Sequence, residues 1–214
     1  MVFAIDRGKY RVVDLSYDVV PPGTPDRPYV VQRGRLADNA YKYDVVRTHT
    51  HVGTHVESPA HFFPKGKDLT HLPLESFYGR AVLLDIPDAS LATEMGARYL
   101  ADALGDIVQA GDIVLCRNSD READQRPCFA PDGAVWLVEQ GVRMLGIETG
   151  FGLGATITAG RALHDILLSR DICLVEFLDN LSVLRRREFF FMALPFKCEQ
   201  IDSAPARAIA IEER

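Results

Sequence analysis

The sequence predicts a mixed α/β domain, and three observations carry that prediction. The first fifty residues hold short extended segments, VVDLS, PYVVQR and KYDVV, split by the turn Pro21-Pro22-Gly23-Thr24-Pro25. Beyond the histidine cluster, apolar runs rich in Val, Ile and Leu alternate with stretches of helical pattern. Those runs are continuously apolar rather than alternating, as strands are when helices cover the sheet.

Taken in order, RAVLLDIP (80–87) reads as a strand ended by proline, and Glu94 to Leu104 as a helix stopped at Gly105. GDIVLCRN (111–118) is a buried strand. Pro131 suits a first helical turn, Val135, Leu137 and Val138 form one face, and Gly141 supplies the stop. VRMLGIE (142–148) then makes a strand, RALHDILLSR (161–170) a helix and ICLVEFL (172–178) a strand. Further strands follow at EFFFMALPF and ARAIAI. No repeat or long linker interrupts the chain, so residues 1–214 read as one domain.

Composition excludes several classes. A formal net charge of −6 and a pI near 5.5 repel phosphate backbones and anionic lipid. The run Arg185-Arg186-Arg187 reads as a solvated turn. No stretch approaches the roughly 20 apolar residues that span a bilayer, so a cytoplasmic protein without nucleic-acid or membrane partners is expected. Cys116, Cys128, Cys173 and Cys198 lack C-x-x-C spacing and predict neither disulfides nor a thiolate metal site.

The chemistry concentrates in HTHVGTHVESPAH, residues 49–61, which holds four of the six histidines. In an extended chain His49, His51, Gly53, His55 and Glu57 share one parity, so three imidazoles and a carboxylate point the same way. Gly53 leaves room on that face, and Pro59 lets His61 approach from the next turn. Neutral imidazoles with a carboxylate suit zinc, manganese or ferrous iron, and a full ligand set needs a second segment. The alternative is a set of surface histidines. His164, on a predicted helix, is followed by Glu176 inside an apolar strand, where an unpaired carboxylate is costly; a metal or a buried ion pair would compensate it. His71, in THLP, reads as a surface or capping residue. The glycines of TGFGLGATITAG (149–160) match no nucleotide-loop spacing and read as a flexible loop leading to the His164 helix.

H-V-G-T-H-V-E-S-P-A-H-F resembles the H-x-G-T-H-x-D-x-P-x-H signature of the cyclase family of metal-dependent hydrolases, which includes bacterial kynurenine formamidase and isatin hydrolase. DLS (14–16), WLVEQGVRMLGIET (136–149), the helix at His164, VEFLDNL (175–181) and LPFK…APARAIAI are similar to that family in the same order. The resemblance implies a compact swivelling β/β/α fold, assembled as a homodimer or homotetramer. It implies that His51 and His55 bind one divalent ion, zinc or manganese, that His164 binds a second, and that Glu57 and Glu176 bridge or share them. It places the catalytic acid/base at His61. Two features depart from the family. Glu57 stands where those hydrolases have aspartate, carrying the carboxylate outward by about 1.5 Å. The only tryptophan, Trp136, lies on a predicted helix rather than in the proline-rich loop.

The expected activity is hydrolysis of an amide, cyclic amide or ester of a small molecule by metal-activated water, kynurenine formamidase-like, with His61 moving the proton. The alternatives are a cyclase or lactone hydrolase acting on another small molecule, and a binding protein that keeps the metal without turnover.

Overall fold

The computed structural model describes residues 5–38, 40–86, 94–118 and 126–214. Its strands are β1 (Tyr10–Asp14), β2 (Tyr29–Arg35), β3 (Tyr41–Thr48), β4 (His55–Glu57), β5 (Tyr78–Ile86), β6 (Glu94–Met95), β7 (Ile113–Asn118), β8 (Cys128–Phe129), β9 (Met144–Glu148), β10 (Cys173–Leu178), β11 (Glu188–Pro195) and β12 (Ser203–Glu213). The helices are α1 (Ala97–Leu104), α2 (Pro131–Glu139) and α3 (Ile157–Leu168). The predicted mixed α/β class is the class found.

Eight strands form one sheet in the order β1-β12-β11-β5-β7-β9-β10-β4, and β4 pairs again with β12. That second pairing closes most of the sheet on itself, as in a barrel. β5, β7, β9 and β10 run parallel to one another, while every pairing that involves β1, β4, β11 or β12 is antiparallel.

The continuously apolar runs have a direct cause. Along β5, β7, β9 and β10, Ala81, Leu83, Ile113, Leu115, Met144, Cys173 and Val175 enter one core inside the curved sheet. The intervening Val82, Leu84, Val114, Cys116, Leu145, Ile147 and Leu174 enter a second core with Leu100, Leu104, Trp136, Leu137, Leu163 and Leu167 from the three helices. Both faces are buried, so both parities are apolar. Inside the curve space is scarce. A Cβ on Gly146 would sit 2.4 Å from Leu115 Cδ2 and 2.9 Å from Leu178 and Val175 side-chain carbons. Gly146→Ala is therefore expected to cost about 1–3 kcal/mol of folding stability, read as a lower denaturation midpoint at unchanged slope.

Three local expectations are corrected. Glu94 and Met95 do not begin the helix; they pair with Cys128 and Phe129, and α1 starts at Ala97. The glycine-rich segment is a loop only to Thr156, whose hydroxyl accepts from Ala159 N and starts α3 at Ile157. Residues 49–54 form a turn rather than a strand, and only His55–Glu57 is extended. Gly53 sits at φ +61, which favours glycine, and a Cβ there would meet Val19 Cγ2 at 2.3 Å. The space beside Gly53 is thus filled by Val19. The strand predicted over 80–87 ends at Ile86, and its Pro87 lies outside the described residues. Arg185–Arg187 is an exposed turn whose backbone N–H groups at Arg185 and Arg186 donate to Glu212. The four cysteines are free thiols, and no helix among the described residues is long and apolar enough to cross a membrane.

Candidate metal centre

Strand β4 lies between β10 and β12, and its register decides what meets. His55 stands opposite Glu176 of β10, while Glu57 stands opposite Leu174 and Ser203. Val56, between them, points into the inner core and anchors the strand. Helix α3 brings His164 over the same point, and the single turn Pro59–His61 folds His61 back to it. Residues far apart in sequence therefore surround one carboxylate. Glu57 Oε1 is 2.7 Å from His51 Nδ1, 3.5 Å from His55 Nε2 and 3.9 Å from His61 Nε2; Oε2 is 3.3 Å from His164 Nε2. Glu176 Oε2 lies 3.8 Å from His55 Nε2.

Hydrogen bonds assign the ring protons. A carbonyl can only accept, so His55 Nδ1–H donates to Gly53 O (2.8 Å) and His164 Nδ1–H donates to Gly160 O (2.6 Å). Both rings then aim an Nε2 lone pair at the centre. His51 differs: Nδ1 faces Glu57 and Nε2 faces Asp202 Oδ2 at 2.8 Å, so both nitrogens donate and the ring is cationic without a metal. Burial alone would lower the His51 pKa, but hydrogen bonds to Asp202 and Glu57 outweigh it and push it up to about 9. Burial likewise works against ionised Glu57, yet the imidazoles of His164, His51 and His55 crowded around it hold it well below the usual range. Glu176 moves the other way, raised by burial and by the neighbouring charge of Glu57.

A cation fits this arrangement. His55 Nε2 and Glu57 Oε2 are fully buried with no hydrogen-bond partner, two orphaned acceptors that burial penalises unless something binds there. Among the described residues, two groups have ligand atoms close enough to hold an ion, His51 with Glu57 and His61, and His55 with Glu57 and Glu176. They share Glu57. The predicted residues His51, His55, Glu57, His61, His164 and Glu176 are thus all brought together, although the grouping separates His51 from His55 and sets His61 among candidate ligands. His49 stays outside, exposed, with its Nδ1 accepting from His51 N–H. His71 is exposed too, and its Nδ1 contacts Asp68.

Sequence reasoning missed Asp202. Its Oδ2 accepts from His51 Nε2 and from His61 Nδ1, each at 2.8 Å, and its Oδ1 accepts from Thr50. Those histidine hydrogen bonds hold its carboxyl well below the usual range. An aspartate just before β12 carries no signal of its own; only the rule that a ligating histidine needs an acceptor behind it could have prompted a search. Phe177 was missed as well. It follows Glu176 at φ +55, where the β10–β9 register shifts between Val175 and Leu178. Such a conformation costs a bulky residue about 1–3 kcal/mol and turns its ring against His55, centroids 5.7 Å apart.

A closed, helix-covered sheet with four histidines and two carboxylates around one point defines an α/β protein with a candidate metal site. The Cyclase family model matches residues 13–151, and the chain belongs to that family. It is 28% identical over 195 residues to a kynurenine formamidase of Bordetella petrii, covering 88% of this chain and 84% of that one. It is 29% identical over 203 residues to the rice protein named cyclase-like protein 3, covering 86% and 70%. Among solved structures, isatin hydrolase A from Labrenzia aggregata superposes with a TM-score of 0.79 at 21% identity, covering 96% and 94%. A structure described as a potential metal-dependent hydrolase with cyclase activity gives 0.73 at 23%, covering 96% and 99%. These superpositions show the shared fold, in agreement with the β/β/α expectation.

Proposed function

We propose that the protein is a metal-dependent hydrolase acting on an amide, cyclic amide or ester carbonyl of a small molecule. The observation that carries this reading is the pair of buried, unpartnered atoms, His55 Nε2 and Glu57 Oε2, within a cluster of histidines and carboxylates. The kynurenine formamidases among its relatives support the amide, and the isatin hydrolase fold supports the cyclic amide.

His51, His55, Glu57, His164 and Glu176 would hold one or two divalent ions, zinc or manganese by ligand chemistry. When bound, such an ion acidifies water and polarises a carbonyl. The chain's own groups do the rest. His55 and His164 keep their Nε2 lone pairs inward because backbone carbonyls occupy Nδ1–H. Asp202 occupies His61 Nδ1–H, leaving Nε2 free to take a proton from water and return it to the leaving nitrogen or oxygen. The same aspartate backs His51 from the side away from Glu57.

Asp202→Asn is expected to lower activity about 10–100-fold, because an amide can present its NH₂ to His61 and His51 and so reverse their tautomers. Initial rates and metal content measured together check this; unchanged values for both would remove Asp202 from the mechanism. The activity itself is tested by elemental analysis alongside a screen of N-formylkynurenine, other aryl formamides, isatin, cyclic imides and simple lactones. Metal-dependent release of acid from one class is expected. Bound metal without turnover on any of them would instead favour a metal-keeping binding protein of the same fold.

A further inference from the structure

Beside the metal centre lies a cavity of about 520 Å³ whose lining includes Tyr17, Arg27, Gly53, Arg126, Thr149 and Phe177. Gly53 and Phe177 belong to the segments that carry the histidines and Glu176, and the Phe177 ring packs on His55, so the cavity borders the backbone that builds the centre. Arg27 is the group there without an assigned task. Its guanidinium lies over the Phe177 ring, 4.3 Å from the centroid, and Nη1 donates to His51 O at 2.7 Å. Among the described residues, no carboxylate forms an ion pair with it. Stacking and one backbone hydrogen bond fix the plane of the guanidinium and leave further donors uncommitted, the arrangement that receives a planar anion through two hydrogen bonds. Exposed Arg126 adds positive charge to the same lining. The acid in that lining, Asp18, is exposed and makes no ion pair with Arg27 among the described residues.

We propose that Arg27, held flat against Phe177, reads a carboxylate on the substrate, so that the site takes small anionic substrates whose carboxylate is remote from the bond cut. This rests on the hydrolase reading above. The strained backbone of Phe177 has a use in this arrangement, since it turns the ring that positions Arg27. Arg27 also favours the ionised form of Glu176 through its charge. A role confined to that support would act equally on neutral and anionic substrates, which makes the two separable.

The test compares formanilide with its ring-carboxylated isomers on the metal-loaded protein. The best carboxylated isomer is expected to exceed formanilide about tenfold in kcat/KM, mainly through a lower KM, as a charge-assisted fork provides. Arg27→Met should collapse that ratio towards one, and Arg27→Lys, which keeps the charge and loses the fork, should fall between. A ratio near one in the wild type, or one that Arg27→Met leaves unchanged, overturns the proposal. Calorimetry on the wild type with benzoate and benzamide, neither of which carries a formamide, reads the subsite without turnover. Benzoate should bind about tenfold more tightly, and equal affinities would refute the subsite. Selective benzoate binding with no hydrolysis of any formanilide would sink the hydrolase reading while leaving the anion pocket standing.

Discussion

His55→Ala is expected to strip the protein of its divalent ion and to lower kcat/KM by about three orders of magnitude. The side chain is fully buried, its Nδ1–H is committed to Gly53 O, and its Nε2 faces Glu57 and Glu176 without a hydrogen bond. Such a ring is built to offer one lone pair. Losing it removes a ligand and leaves two carboxylates close together with less to neutralise them, so the remaining donors release the ion. Several kcal/mol of transition-state stabilisation go with it, at 1.36 kcal/mol per decade of rate. Metal stoichiometry and steady-state kinetics on the same preparation check the result. A His55→Ala protein that retains both its metal and full turnover would mean that the reaction runs elsewhere.

The second large effect is expected at Glu57, the one carboxylate that both candidate groups share. Glu57→Gln should abolish metal retention. In the metal-free protein it should also cost about 3 kcal/mol near pH 6, because it leaves the buried His51 cation with one carboxylate partner instead of two. The pH dependence follows from the direction of each shift. His51 is raised from 6.5 to about 9, so its stabilising contribution is complete below pH 6.5 and fades as the pH climbs through 9. Glu57 is lowered from 4.5, so its contribution is complete above that value and is lost towards acid. The difference between wild type and Glu57→Gln should therefore be greatest between about pH 4.5 and 6.5 and shrink towards pH 9. Metal affinity should run in the opposite sense, strengthening from pH 6 to 9 as the competing His51 proton leaves. Denaturant midpoints of apo protein and metal titrations across this range measure both slopes. A gap that widened towards pH 9 would show that the His51–Glu57 pair does not carry the effect.

Much of this was legible because the signals are local. Four histidines in thirteen residues with an acid in step announced a candidate metal site, and Pro131, Gly141 and the doubly apolar runs marked α2, β7, β9 and β10. The mechanism offered for the cluster was less accurate than its conclusion. Its parity argument assumed an extended chain, whereas His51 and His55 converge through a turn at Gly53 that Val19 packs against.

The sequence by itself determined the class of fold, the strands whose two faces are buried, and the cluster of His51, His55, Glu57 and His61, since each depends on periodicity or on residue chemistry within a short window, while the family resemblance added His164 and Glu176. Only the tertiary structure decided that β4 slots between β10 and β12, that Asp202 stands behind both His51 and His61, and that Arg27 lies on Phe177. Asp202 stands 141 and 151 positions from the two histidines it backs, and such contacts exist only once the sheet has closed. No local pattern encodes them, because the free energy that selects them is the burial of Val56 and its neighbours in a shared core rather than any preference of the segments themselves.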